Sequence, residues 1–276
     1  MNLPLTITMI AIGFGGAFFS GLLGIGGAII LIPLLMYVPE LLGLGTLDMQ
    51  AISGMTMVQV FFAALSGYLF HRKNKTVSSE LVLTMGLSIM AGSLLGSVAS
   101  KFMTGEGLKA VFASLAVVAA VMMFIPKKED DRGTVRPTAG NSGEGEVAVG
   151  DANAVVFNKP VAAVIAFVVG VLAGIVGAGG AFILIPLMLY VLKIPTRITV
   201  GSSLAIVLFS AVAGMVGKFT TGQVPLMETT VLVLGAIPGA QLGGAFGKKV
   251  KVKTLRLMLA AIISLTAVKL WLEILG

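Results

Sequence analysis

Two glycine clusters carry the residue types and spacing in this sequence that best suit chemistry. GLLGIGGAIILIPLLMY runs from Gly21 to Tyr37, and GIVGAGGAFILIPLMLY runs from Gly174 to Tyr190. Eleven of the seventeen aligned positions are identical, each pair 153 residues apart. A glycine cluster inside an apolar helix interrupts it and frees backbone N–H groups. The helix that restarts, near Ala28 or Ala181, presents about +0.5 of dipolar charge at its N-terminus. Such an end is an anion site made of backbone, and glycine removes the Cβ that would hold the anion away. The candidate binding residues are therefore Gly24, Gly26, Gly27 and Ala28 in the first cluster and Gly177, Gly179, Gly180 and Ala181 in the second. Two such ends meeting would supply roughly +1, which suits a small oxyanion.

Hydroxyl groups follow each cluster at nearly matched positions: Ser53 and Thr56 in the first half, Ser202 and Ser203 in the second. At a helix end they can cap the backbone or donate to a bound anion, and equally they can bond their own helix. Gln241, inside IPGAQLGG, and Gln59 are further neutral donors within apolar segments. Glu228 is the candidate for proton coupling; the other acidic residues outside the central linker also lie at segment ends or in loops. The pairs Gly92/Gly96 and Gly239/Gly243 have the spacing of close helix packing, which is their expected role.

The elements that position these residues are membrane helices. Of 276 residues, 57% are hydrophobic and 11% charged, against about 25% charged in a soluble chain. The expected fold is all-α and membrane-embedded, and the chain is a repeat. Beyond the clusters the offset becomes 147, matching Gly54 with Gly201, Gly67 with Gly214, Gly92 with Gly239 and Lys101 with Lys248. The first repeat is 1–126 and the second 159–276. The intervening 127–158, rich in charge and turn formers, reads as a flexible cytoplasmic linker. Each half has four apolar segments, near 5–38, 50–70, 80–100 and 107–125, then 159–191, 198–217, 226–247 and 255–275. The first of each is too long: thirty-four helical residues would span about 51 Å against a hydrocarbon core of about 30 Å. It is either a tilted broken helix or a hairpin that turns at the glycines and leaves on the side it entered.

Basic residues discriminate between these. With single crossings, Lys and Arg divide ten against nine between the two faces; with hairpins, fifteen against four. The positive-inside rule favours the hairpins. Each half is then a re-entrant helix plus three transmembrane helices, the two halves have inverted topology, and the linker lies inside the cell. Inverted repeats with interrupted helices are the architecture of many secondary transporters, because irregular backbone is tolerated in a membrane only where it lines a polar cavity.

Several function classes are disfavoured. The chain has no cysteine and one histidine, His71, so no metal site or cofactor is expected. The net charge of +7 fits basic loops against anionic lipid rather than nucleic acid. No strand precedes the glycines and no Lys-Ser/Thr follows them, which excludes a nucleotide loop. The N-terminus lacks a basic n-region and a cleavage motif and reads as mature structure. Neither a nucleophile–base dyad nor paired carboxylates occur within the apolar segments, so no enzymatic activity is expected.

The repeated GxGGAxxLIPL, followed by a helix opening with A-x-S-G-x-T or V-G-S-S-L, resembles the TauE/SafE-type sulfite exporter family over essentially the whole chain apart from the linker. The first half departs from the family pattern in reading SGMT where the second reads GSSL. The resemblance implies a transporter of sulfite, sulfonates or related organosulfur anions in the inner membrane, often acting outward. The leading expectation is export of such an anion. The alternatives are its proton-coupled import and a non-transport membrane scaffold. The expected partners are the small anion and the bilayer, with oligomeric state, a homodimer included, left open.

Overall fold

The computed structural model describes residues 2–23, 27–72, 77–124, 157–247, 261 and 264–273. The chain forms α1 (Leu3–Leu23), α2 (Ala28–Leu41), α3 (Met49–Arg72), α4 (Ser79–Ala99), α5 (Gly105–Phe124), α6 (Lys159–Val176), α7 (Ala181–Tyr190), α8 (Thr196–Thr220) and α9 (Leu226–Gly247). A 3₁₀ turn, Ser100–Phe102, follows α4, and residues 264–273 are helical and are labelled α10. Among the described residues there is no strand. Among the described residues, seven helices (α1, α3, α4, α5, α6, α8 and α9) are long and apolar enough to cross a membrane. Their exposed surface carries leucine, valine and phenylalanine, for example Leu83, Leu95, Val164 and Leu234, as a lipid-facing surface should. The protein is an all-helical, multi-pass membrane protein.

The overlong first segments are each divided at their glycines. At 14 and 10 residues, α2 and α7 extend only about 21 and 15 Å. Both fold back on the helix before them. A Cβ at Gly27 would run into Ser20 and the Gly16 carbonyl, while Leu31 lies over Gly16; Gly180 lies against Val169 and Ala173. Pro33 and Pro186 fall inside these short helices.

The halves exchange partners: α1 packs chiefly on α9, and α6 on α4. Backbone makes these contacts. A Cβ on Gly92 would overlap the Phe167 carbonyl, one on Gly96 the Val171 carbonyl, one on Gly239 the Phe14 carbonyl and one on Gly243 the Phe18 carbonyl. Phe14 and Phe167 are 153 residues apart, as are Phe18 and Val171. The two GxxxG pairs therefore make matched contacts in the two halves. In the middle, α3 and α8 cross antiparallel: Gly54 packs on Gln223 just past the end of α8, and Met57 on Gly214. These two helices hold matched positions in the repeat, yet run in opposite directions.

Because Gly96 and Gly243 touch backbone that cannot move aside, valine at either should destabilise the protein by about 1–3 kcal/mol or more. Gly15, with open space where a Cβ would go, is the control. Thermal midpoints in detergent should fall for Gly96→Val and Gly243→Val and hold for Gly15→Ala.

Candidate functional site

The second glycine cluster is built from residues that could not be otherwise. Gly177 ends α6 at φ 79°, Gly179 follows at φ 65° and Gly180 caps α7 at φ 82°. All three are in the left-handed region that side chains disfavour. A Cβ on Gly177 would also overlap the Ser53 carbonyl of α3. The first cluster matches in its last member: Gly27 caps α2 at φ 58°. Gly24 and Gly26 lie outside the described residues. Neither α2 nor α7 has a side-chain cap. Ala28 and Ala181, the first residues of these helices, are 1% and 0% exposed. Two helix N-termini thus open inside the protein without a side-chain cap; the Ile30 and Ile183 N–H groups donate to the Gly27 and Gly180 carbonyls (3.1 and 3.2 Å), and the N–H groups of the two residues before each have no side-chain acceptor.

Gly179 reaches the centre of the fold. A Cβ there would meet Val60 of α3 and Val207 of α8, residues matched 147 apart in the repeat. The crossing of α3 and α8 at this pair is the pseudo-symmetric middle of the molecule, and α7 begins two residues after Gly179.

Around this centre the expected hydroxyls separate. Ser53 and Thr56 are fully buried on the α3 turns beside the second break. Ser53 Oγ donates to the Ile175 carbonyl (3.2 Å) and Thr56 Oγ1 to the Ile52 carbonyl of its own helix (2.7 Å). Ser202 and Ser203 are equally buried, but they lie early in α8, and Ser202 Oγ accepts from the Ser78 N–H (3.1 Å). Since α3 and α8 are antiparallel, the two hydroxyl groups fall on opposite sides of the crossing, on the order of 20 Å apart along the helix axes. Gln241 is exposed on α9 and joins neither group. Glu228 is half-buried in the first turn of α9.

Sequence reasoning missed Lys218. It sits at a segment end, where lysines usually snorkel to water. Instead it is 0% exposed. Its Nζ donates to Ser100 Oγ (2.6 Å), Gln223 Oε1 (3.0 Å) and the Ile175 carbonyl (3.2 Å). Gln223 Nε2 in turn donates to Thr221 Oγ1 (2.7 Å) and the Ser97 carbonyl (3.3 Å). The Ile175 carbonyl, freed where α6 ends, thereby takes both Ser53 and Lys218. Among the described residues the ion pairs are Lys159–Glu80 and Lys269–Glu273, and neither involves Lys218. The signal was dispersed: Ser97, Ser100 and Gln223 come from other elements, and only their packing identifies the lysine as internal.

At the end of the molecule where α2 stops and α3 and α5 start, a cavity of about 510 Å³ is lined by Glu40, Asp48, Glu106 and Glu273, with Lys109. Lys269 covers the Tyr37 ring at 3.3 Å beside it. Four carboxylates suit water and repel anions.

The family model described as "Sulfite exporter TauE/SafE" matches residues 9–270. The chain belongs to the sulfite exporter TauE/SafE family. It is 25% identical to the probable membrane transporter protein YunE of Bacillus subtilis, with 97% of each chain covered. The probable membrane transporter protein YdhB of the same organism is 27% identical over 82% of this chain and 84% of its own. A third relative, from Methanocaldococcus jannaschii, is 22% identical over 92% and 91% and is likewise named a probable membrane transporter. No solved structure matches the chain. As a TauE/SafE-type protein, this chain is a membrane transporter.

Lys218→Met strips Ser100, Gln223 and Ile175 of a shared donor in a buried network. It should lower stability by about 2–4 kcal/mol, read as a fall in the thermal midpoint. Lys101→Met, at an exposed neighbour, should leave the midpoint within about 0.5 kcal/mol of the starting value.

Proposed function

We propose that this transporter exports a small sulfur oxyanion, sulfite or an organosulfonate, and that the anion binds where the α7 N-terminus meets the α3–α8 crossing. The observation that carries the reading is the fully buried start of α7 behind Gly180, which has no side-chain cap and lies two residues from the glycine that touches both central helices. A helix N-terminus so placed attracts an anion, and burial from water strengthens the attraction. Gly177, Gly179, Gly180, Ala181, Ser53 and Thr56 belong to this limb of the path. Gly27, Ala28, Ser202 and Ser203 belong to the pseudo-symmetric limb, so the anion passes two stations rather than one shared cluster. Lys218 places a buried amine donor beside the α6–α7 break.

The halves are read as inverted repeats in the inner membrane, with 127–158 on the cytoplasmic side. The antiparallel course of α3 and α8, matched in the repeat, supports inversion. In that orientation the cavity of Glu40, Asp48, Glu106 and Glu273 opens outward, and its charge discourages re-entry of a released anion. An inside-negative potential drives each negative charge outward by about 2.3 kcal/mol per 100 mV, so export needs no coupling ion.

The test is sulfite efflux from proteoliposomes under an imposed inside-negative potential, with chloride and taurine as comparison solutes. Saturable sulfite flux that rises with potential is expected, falling at least tenfold in Gly180→Leu. Glu228→Gln should leave it intact; loss of flux in that variant, with a dependence on the proton gradient, would point to coupled import instead. Absence of saturable sulfite flux in folded protein would sink the sulfite reading.

A further inference from the structure

Among the described residues, Gln59 and Ser210 are the buried polar side chains that the packing leaves without a partner. Gln59 is 0% exposed, and neither its Oε1 nor its Nε2 has a hydrogen-bond partner; Ser210 is also 0% exposed, and its Oγ has none. Buried polar groups are satisfied in the large majority of cases, and each orphan costs free energy unless water or a ligand supplies the bond. These two occur at one level of the fold. Gln59 precedes Val60 on α3, and Ser210 follows Val207 by one turn of α8. Val60 and Val207 are the residues that touch Gly179. The antiparallel register, with Met57 on Gly214 and Gly54 on Gln223, sets Gln59 opposite the turn that carries Ser210.

Neighbouring hydroxyls show what ordinary packing does at this depth. Ser93 Oγ donates to the Ser210 carbonyl (2.8 Å) and Thr56 Oγ1 to the Ile52 carbonyl (2.7 Å). Both return their donor to nearby backbone, whereas Gln59 and Ser210 hold theirs in reserve. Repeat symmetry does not require either residue: the matched positions are Ile206 and Ala63, which carry no polar atom. An apolar pair would therefore suit the fold as well.

We propose that Gln59 and Ser210 are specificity-determining residues of the transport site, hydrogen-bonding the anion as it passes the α3–α8 crossing; this rests on the anion-export reading above. The chemistry narrows the ligand class. Nε2 donates, Oε1 only accepts, and the serine hydroxyl does either. A ligand that satisfies all three presents oxygen acceptors together with a proton donor of its own. A monoprotonated oxyanion such as hydrogensulfite, or a sulfonate carrying an amine, meets that requirement. A fully deprotonated anion leaves Oε1 orphaned, and sites with orphaned polar groups discriminate strongly.

The experiment uses the full chain in proteoliposomes and in detergent, with sulfite as the transported probe and sulfate as competitor. Saturable sulfite flux in the unsubstituted protein comes first. Its absence removes the export reading and this inference with it, before any variant is compared. Given flux, Gln59→Met and Ser210→Ala should each raise the KM for sulfite about tenfold. Their thermal midpoints without anion should be unchanged or higher, because a partnerless buried polar group has been removed. Sulfate should inhibit the unsubstituted protein at least tenfold more weakly than sulfite itself saturates it. An unchanged KM in both variants would overturn the proposal and leave the two groups as holders of water. A lowered midpoint with unchanged KM would overturn it in favour of a structural role. Sulfate competing as well as sulfite would overturn the donor–acceptor matching.

Discussion

Backbone that has lost its helical hydrogen bonds cannot face lipid, and the architecture follows from that constraint. Two breaks, at Gly27 and at Gly177–Gly180, must be wrapped in protein on every side. The α6–α7 break lies against α3 of the other half through Gly177 and Ser53 and against both central helices through Gly179. The first half thus supplies surroundings for the second half's break, and the α1–α9 and α4–α6 contacts tie the repeats into one unit.

Close approach makes this wrapping possible. Along α1–α9 and α4–α6, glycines lie directly on carbonyl groups of the opposing helix. In a membrane there is little hydrophobic gain from bringing helices together, so close packing of backbone against backbone carries much of the association. The same residue type serves both purposes here: it lets helices touch, and it lets a helix end and restart.

The interior is uneven in its polar bonding, and the unevenness is informative. The Lys218 network is saturated: the ammonium, Ser100, Gln223 and the Ile175 carbonyl account for one another. It stabilises the end of α6, whose final carbonyls carry negative dipolar charge. At the α3–α8 crossing, by contrast, Gln59 and Ser210 keep their hydrogen-bonding capacity unspent. A satisfied lysine network beside a break and unsatisfied neutral groups at the centre form a combination suited to a passing anion.

The sequence by itself determined the membrane class, the repeat and the break points. Composition, the 153- and 147-residue offsets and the glycine spacing are local or periodic properties, and the helix starts at Ala28 and Ala181 follow from them. GxxxG spacing was equally legible as packing, although not which helix each pair would meet. Tertiary structure decided the rest, because burial and register depend on residues far apart in the chain. The antiparallel crossing of α3 and α8 sends Ser53 and Ser202 to opposite sides, though their sequence positions look equivalent. Outward rotation of one face of α9 exposes Gln241. Lys218 turns inward because Ser100 and Gln223, 118 and 5 residues away, converge on it. No periodicity encodes such a convergence; it exists only once the helices have packed.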